Sequence, residues 1–152
     1  MTTSEKAAMP TTTGYSIIAA EFNKKLMDGM IKVARDEMQA LGLPFRRLLR
    51  VPGCYELPLV ADVEISRPEV LGVIALGYIE RGETLHGEVM GHVVHRALVE
   101  LQLKARKPIG LGIIGPGATE AQAAVRQVNS ATAAVRAVKQ VADILNSTES
   151  GG

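Results

Sequence analysis

Cysteine is nearly absent from this chain. The single one, Cys54, excludes an intrachain disulfide and any zinc cluster built on cysteines. Charge of one sign is not in excess either. There are 17 Lys and Arg against 16 Asp and Glu, a net charge of +1. Nucleic-acid binders usually show a strong basic excess, so nucleic acid is not an expected partner. No long hydrophobic run occurs. The longest uncharged apolar stretch, Val70–Ile79, falls far short of the ~18 residues a membrane span needs. The first residues, MTTSEKAAMPTTTG, lack the apolar segment of a secretory signal, so a soluble cytoplasmic protein is expected. The sequon at Asn146-Ser147-Thr148 then carries no meaning. No internal repeat is visible.

What is present fits one domain. At 152 residues the chain can bury roughly two-thirds of its unfolded surface. Apolar residues make up 47% and charged residues 22%, as in ordinary globular proteins. Residues 1–14 read as a disordered arm, 15–146 as the domain, and 147–152 as a frayed tail.

Short apolar runs alternate with helical patterns. Tyr15–Phe22 reads as a strand, and Asn23 can cap the helix that follows. In it Met27, Met30, Ile31, Ala34, Met38 and Leu41 recur at three- and four-residue steps, until Gly42 and Pro44 end it. Phe45–Val51 is a strand whose Arg46, Arg47 and Arg50 suit a solvated edge or a subunit contact better than an anion patch. Tyr55–Ile65 reads as a helix and Val70–Ile79 as a buried strand. Leu85–Lys107 is a long helix with Met90, Val93, Val94, Ala97, Leu98 and Leu101 on its apolar side. Ile109–Ile114 is a buried strand ended by Gly115-Pro116-Gly117. Thr119 can cap a short helix to Val128, and Ala131–Leu145 is a last helix. Strands with little polar alternation argue for a parallel sheet covered on both faces. The fold class is therefore α/β, a three-layer sandwich with a four-stranded parallel sheet. Ligands of such sheets bind at the carboxyl ends of the strands. Attention falls on Phe22-Asn23, Pro52–Glu56, Gly77–His86 and Gly115–Thr119.

Gly110-Leu-Gly112-Ile-Ile-Gly115 spells GxGxxG but lies inside an apolar strand, not in the turn that opens a helix. Nucleotide binding is not expected from it. Glu88, His92 and His95 share one helix face, but no further ligand completes a metal site. Polar residues on a solvated face or subunit contact are the plainer reading, and no metal is expected. Gly82-Glu-Thr-Leu-His86 is the most informative stretch. Gly82 admits a close ligand, while the first N–H groups of the helix and the Thr84 hydroxyl suit a phosphate. His86 can pass protons near neutral pH. From this motif alone, a simple helix cap followed by a surface histidine stands level with that reading.

Four strings together resemble the 6,7-dimethyl-8-ribityllumazine synthase family of riboflavin biosynthesis. They are AAEFN (Ala19–Asn23), VPGCYELPL (Val51–Leu59), ALG with RGETLH (Ala75–Gly77, Arg81–His86) and GPGATEAQAAVR (Gly115–Arg126). Their order and spacing agree over about residues 15–145. The GPG strand end is most like the archaeal branch. The resemblance implies a flavodoxin-like fold, pentamers or hollow icosahedral sixty-subunit shells, active sites between subunits, and no metal or organic cofactor. It implies small-molecule substrates: 5-amino-6-ribitylaminouracil is condensed with 3,4-dihydroxy-2-butanone 4-phosphate. By position, Phe22 would stack on the pyrimidine and Asn23 would line its pocket. Tyr55 and Glu56 would hold the ribityl chain. Cys54, Tyr78, Ile79, Glu80 and Leu111 would complete the pocket, Tyr78–Glu80 through their backbone. Gly82, Glu83 and Thr84 would cradle the phosphate, and Arg126 would pair with it from the neighbouring subunit. His86 would transfer protons. The chain departs from the family in three places. No lysine follows Arg126 at the start of the last helix, Glu80 replaces an aliphatic residue, and Leu111 stands where bacterial members often have an aromatic one. These departures leave two other readings open: a non-catalytic shell-forming or flavin- or lumazine-binding paralogue, and a different enzyme on the same fold, such as a relative of archaeal riboflavin synthase.

Overall fold

Gly14–Ala20 is a strand (β1) buried along its whole length. In the computed structural model, which describes residues 12–151, three further strands lie parallel to it: β2 (Phe45–Val51), β3 (Val70–Glu80) and β4 (Ile109–Ala118). Their order is β2-β1-β3-β4. The helices between are α1 (Lys24–Leu41), α2 (Leu57–Ile65, entered through a 3-10 turn at Cys54–Glu56), α3 (His86–Ala105) and α4 (Glu120–Gly151). Of the arm expected at residues 1–14, residues 1–11 lie outside the described residues.

The period of two along each strand sorts the core into two layers. Tyr15, Ile17 and Ala19 of β1 and Ile74, Leu76 and Tyr78 of β3 face α1 and α4. Ile18 and Ala20, with Val73, Ala75 and Ile79, face α2 and α3. This is the expected three-layer, flavodoxin-like α/β arrangement. Ile17, Ile18, Ile74 and Leu76 are fully enclosed, and burying each contributes about 1.5–3 kcal/mol.

Local signals set the helix ends. Asn23 caps α1 from a left-handed backbone (φ 59°), its side chain accepting from the Leu26 N–H. Gly42 closes α1 with φ 71°, a conformation glycine takes without strain. Thr119 and Gln122 form a reciprocal capping box at the head of α4, with bonds of 2.9 and 3.2 Å. Asn23→Ala should cost about 1–2 kcal/mol, since it removes the cap and places a Cβ at positive φ without a helpful side chain. Asn23→Gly should cost less than half of that. Thermal melts of the two variants check this, and equal losses would show that the left-handed backbone adds nothing to the cost of losing the cap.

Several expectations are corrected. The last two helices are one, because α4 runs unbroken through Gln127–Ser130. It also continues as helix to Gly151, where the sequence suggests a frayed end. β4 does not stop at Gly115; it passes a cis Gly115–Pro116 peptide and a register shift, so that Ala118 still pairs with Glu80. Val93 is 51% exposed and does not belong to the buried side of α3. Arg46 and Arg47 are not a solvated fringe. β2 is an edge strand, yet the Arg46 side chain is fully buried and both arginines pair with Glu64 of α2. Ser16 donates to the same carboxylate, and Arg46 also reaches Glu69 and the Thr12 carbonyl. Arg50 pairs with Asp28.

Candidate active site

All four strands run the same way, so the loops after them gather at one rim of the sheet. β1 delivers Phe22 and Asn23, β2 delivers Cys54–Glu56, β3 delivers Glu80–His86, and β4 delivers Ala118 and Thr119.

Phe22 is 48% exposed, and its ring lies 6.0 Å from that of Tyr78 at 35°. One flank is therefore supported and the rest is open to a ligand. Tyr78 is itself only 2% exposed and donates its hydroxyl to the Ala118 carbonyl at 3.2 Å. Burial raises its phenol pKa, and the carboxylates of Glu80 and Glu120 add to the rise. Tyr55 is 49% exposed, and Glu56 beside it is exposed too. Cys54 is different. Its side chain is core, its Sγ lies 3.8 Å from the Tyr78 carbonyl, and burial pushes its thiol up to about 11. Gly77 opposite leaves it room, since a Cβ there would sit 2.6 Å from the sulfur. Ile79 likewise keeps its side chain in the α2/α3 layer, so only its backbone is available at the rim. As side chains, Cys54 and Ile79 are packing residues, not pocket walls.

After β3 the chain forms a cavity of about 230 Å³, walled by Glu80, Gly82, Glu83 and Thr84 together with Glu88 and Gly117. It sits at the amino end of α3. Thr84 Oγ1 accepts from the His86 N–H at 3.4 Å, which leaves its own hydrogen free to point elsewhere. The first backbone bond of the helix runs from Val89 N–H to the Leu85 carbonyl. The N–H groups of Gly87 and Glu88 thus stand outside the ladder, as a helix start requires. His86 is the first residue of α3 and is exposed. Arg81 also lines the cavity. It was missed as a site residue, although a cation directly before Gly82 was a readable sign. Larger hollows of about 340 Å³ between α2 and α3, and about 390 Å³ near the amino ends of the strands, contain none of these residues.

Two expected residues are not brought to this rim. Leu111 sits in mid-β4 opposite Ala75, half-buried against the α2/α3 layer. Arg126 is exposed on α4 and does not line the cavity. The polar stripe on α3 is also not assembled as a ligand set: His95 Nδ1 lies 2.7 Å from the Gly91 carbonyl of its own helix. Gly110 and Gly112 lie within β4, where α4 packs closely enough that a Cβ on Gly110 would strike the Ala134 carbonyl. A glycine-rich turn for a nucleotide is not formed there.

A parallel α/β sandwich with an open cavity at the carboxyl ends of its strands defines a flavodoxin-like domain of the ligand-handling kind. The family profile of 6,7-dimethyl-8-ribityllumazine synthase matches residues 13–147. The chain is 39% identical to the 6,7-dimethyl-8-ribityllumazine synthase of Staphylothermus marinus over 134 residues, 88% of this chain and 87% of that one. It is 37% identical to that of Metallosphaera sedula, covering 89% of each chain. It is 34% identical to that of Pyrobaculum arsenaticum, covering 84% of this chain and 85% of that one. The chain belongs to the 6,7-dimethyl-8-ribityllumazine synthase family, a family of transferases in riboflavin biosynthesis. These relatives are archaeal, the branch to which its GPG strand end points. Among the described residues no helix is long and apolar enough to cross a membrane.

Proposed function

We propose that this chain condenses 5-amino-6-ribitylaminouracil with 3,4-dihydroxy-2-butanone 4-phosphate to 6,7-dimethyl-8-ribityllumazine, releasing phosphate and water. The observation that carries the reading is the shared rim: an exposed Phe22 ring backed by Tyr78 stands on the same edge as the Gly82–Thr84 cavity at the head of α3. The pyrimidine stacks on Phe22, with Asn23 and the Tyr78–Glu80 backbone along its edge. Tyr55 and Glu56 hold the ribityl chain, Glu56 by accepting hydrogen bonds from its hydroxyls. Phosphate rests on Gly82, Glu83 and Thr84, where helix N–H groups favour an anion. His86, one turn away, moves protons as the imine forms, phosphate leaves and the ring closes. The protein acts chiefly by positioning. Holding an amine against a carbonyl can contribute roughly 7–11 kcal/mol in favourable cases.

The working form is a homo-pentamer in the cytoplasm, with each site shared by two subunits. Support comes from apolar side chains that one chain leaves bare. Leu85, Val89 and Val93 line the outer face of α3, and Leu59 and Val63 that of α2. Leu111 and Arg126, away from the rim in one chain, then belong to a neighbour's pocket. Pentamers of this kind also build icosahedral shells.

Purified protein is mixed with both substrates, and lumazine absorbance is followed against a protein-free control. A rate well above the control and saturating in both substrates is expected. A rate equal to the control, from protein that is folded and assembled, would overturn the reading.

A further inference from the structure

The cavity at the head of α3 is surprisingly acidic for a phosphate cradle. Its walls carry three carboxylates, Glu80, Glu83 and Glu88, against one guanidinium, Arg81. Among the described residues none of the three carboxylates is tied up in a hydrogen bond or ion pair. They are not held alike. Glu83 lies in an exposed loop, and Glu88 lies in the first turn of α3, where the helix dipole offsets its charge. Glu80 is the last residue of β3. Its backbone is in register with Ala118, and the next amide, Arg81 N–H, bonds the Ala118 carbonyl at 2.8 Å. Its Cα is therefore fixed to the sheet at the cavity wall. Glu80 lies two residues beyond Tyr78 on β3, with a register shift against β4 between them. The Glu80 charge reaches the Tyr78 phenol, whose ring is the neighbour of Phe22. Glu80 thus stands between the ring-stacking wall and the phosphate cradle.

We propose that Glu80 is a specificity-determining residue that loosens phosphate: its carboxylate repels the phosphate group in the cavity, weakening both the phosphate-bearing substrate and the released ion. The proposal rests on the reading of Gly82–Thr84 as the phosphate cradle. Helix N–H groups and Arg81 attract the dianion, and Glu80 subtracts from that attraction. Both effects are Coulombic, so salt screens them.

The test uses the full chain and inorganic phosphate as an inhibitor competing with the phosphate-bearing substrate. In Glu80→Gln the inhibition constant for phosphate and the KM for that substrate should fall together by about 3- to 10-fold, the size of a repulsion between charges a small cavity apart at a protein surface. The KM for the pyrimidine should stay within about twofold, and the gain should shrink as salt rises. Glu80→Asp, which keeps the charge, should resemble the parent. Glu100→Gln, an exposed residue paired with Arg96 farther along α3, should change nothing. Unchanged phosphate inhibition in Glu80→Gln, or a rise in the pyrimidine KM instead, would overturn the proposal. If inorganic phosphate fails to compete in the parent protein, the cradle reading itself falls, and the role of Glu80 falls with it.

Discussion

Glu64→Ala is expected to remove about 3–5 kcal/mol of stability, the cost of breaking a buried ion pair from one side. Glu64 is the hub of a buried charge cluster. Arg47 grips it with Nη2 at 2.6 Å and Nε at 3.0 Å, Arg46 approaches at 3.3 Å, and Ser16 donates from β1. Without Glu64, the fully buried Arg46 side chain keeps only Glu69 and the Thr12 carbonyl. The cluster joins β1, β2 and α2, so its loss loosens the sheet edge on the side away from the candidate site. Denaturant unfolding at neutral pH checks this, and an unchanged midpoint would show that the cluster contributes nothing. The same carboxylate sets a pH dependence. Burial alone would raise its pKa, but hydrogen bonds from Arg47 and Ser16 and the charges of Arg47 and Arg46 outweigh it and bring the pKa down from 4.5 to about 2. A depressed folded-state pKa means that the stabilisation is complete above the unfolded value and is lost as pH falls through the folded one. The window is therefore about pH 4.5 to 2, and the stake is about 3 kcal/mol. The parent should lose stability across that window more steeply than Glu64→Ala. Parallel pH curves for the two would contradict the account.

Arg126→Ala should lower kcat/KM for the phosphate-bearing substrate by about 30- to 150-fold, equivalent to about 2–3 kcal/mol for a lost charge-assisted hydrogen-bonded pair. Binding of the pyrimidine alone should change less than about twofold. The effect is expected to be large because no lysine follows Arg126 at the start of α4; the next basic residues along that helix are Arg136 and Lys139. Arg136 is engaged with Glu37 and Lys139 with Asp143. Arg126→Lys should recover only part of the loss, since an ammonium lacks the fork that grips two phosphate oxygens. Steady-state kinetics varied in each substrate separate these outcomes. Equal losses toward both substrates would place Arg126 elsewhere in the reaction.

The layered fold was legible because its cues are local. Buried strands read as apolar runs, and Asn23, Gly42 and Thr119 mark helix ends by their own side chains or their lack of one. What was not legible depends on distant partners. Arg46 looked like edge decoration because Glu64, eighteen residues away, gives no sign in sequence that it will meet it. The polar Asn129-Ser130 pair looked like a break. Ala131, Ala134, Val135 and Val138 instead hold that part of α4 on the sheet, and tertiary packing overrides the weak local preference. The strand ending at Gly115-Pro116-Gly117 was misplaced because only the partner strand reveals that Ala118 is still in register. At the rim, Phe22 and the Gly82–His86 turn were readable from residue type and position. Cys54 was not, since its side chain packs in the core, whereas the buried side chain of Ile79 leaves the backbone role expected of it untouched. Leu111 and Arg126 lie away from the rim of one chain, and the roles proposed for them depend on the proposed second subunit.

The strand order has a consequence for how the chain is made. β1 emerges first but lies inside the sheet, pairing with β2 and, through Gly14 and Val70, with β3. The β1–β2 pair can form once Val51 has emerged, but the other edge of β1 stays open until β3 is complete at Glu80, past the midpoint of the chain. The layer over Tyr15, Ile17, Ile74 and Leu76 waits longer still, because α4 comes last. Until then one sheet face is covered by α1 alone. Such non-local closure makes folding slow and leaves the nascent chain open to association with its neighbours. For the pentamer proposed above, the surfaces that must meet and those that must stay apart would be exposed together during synthesis.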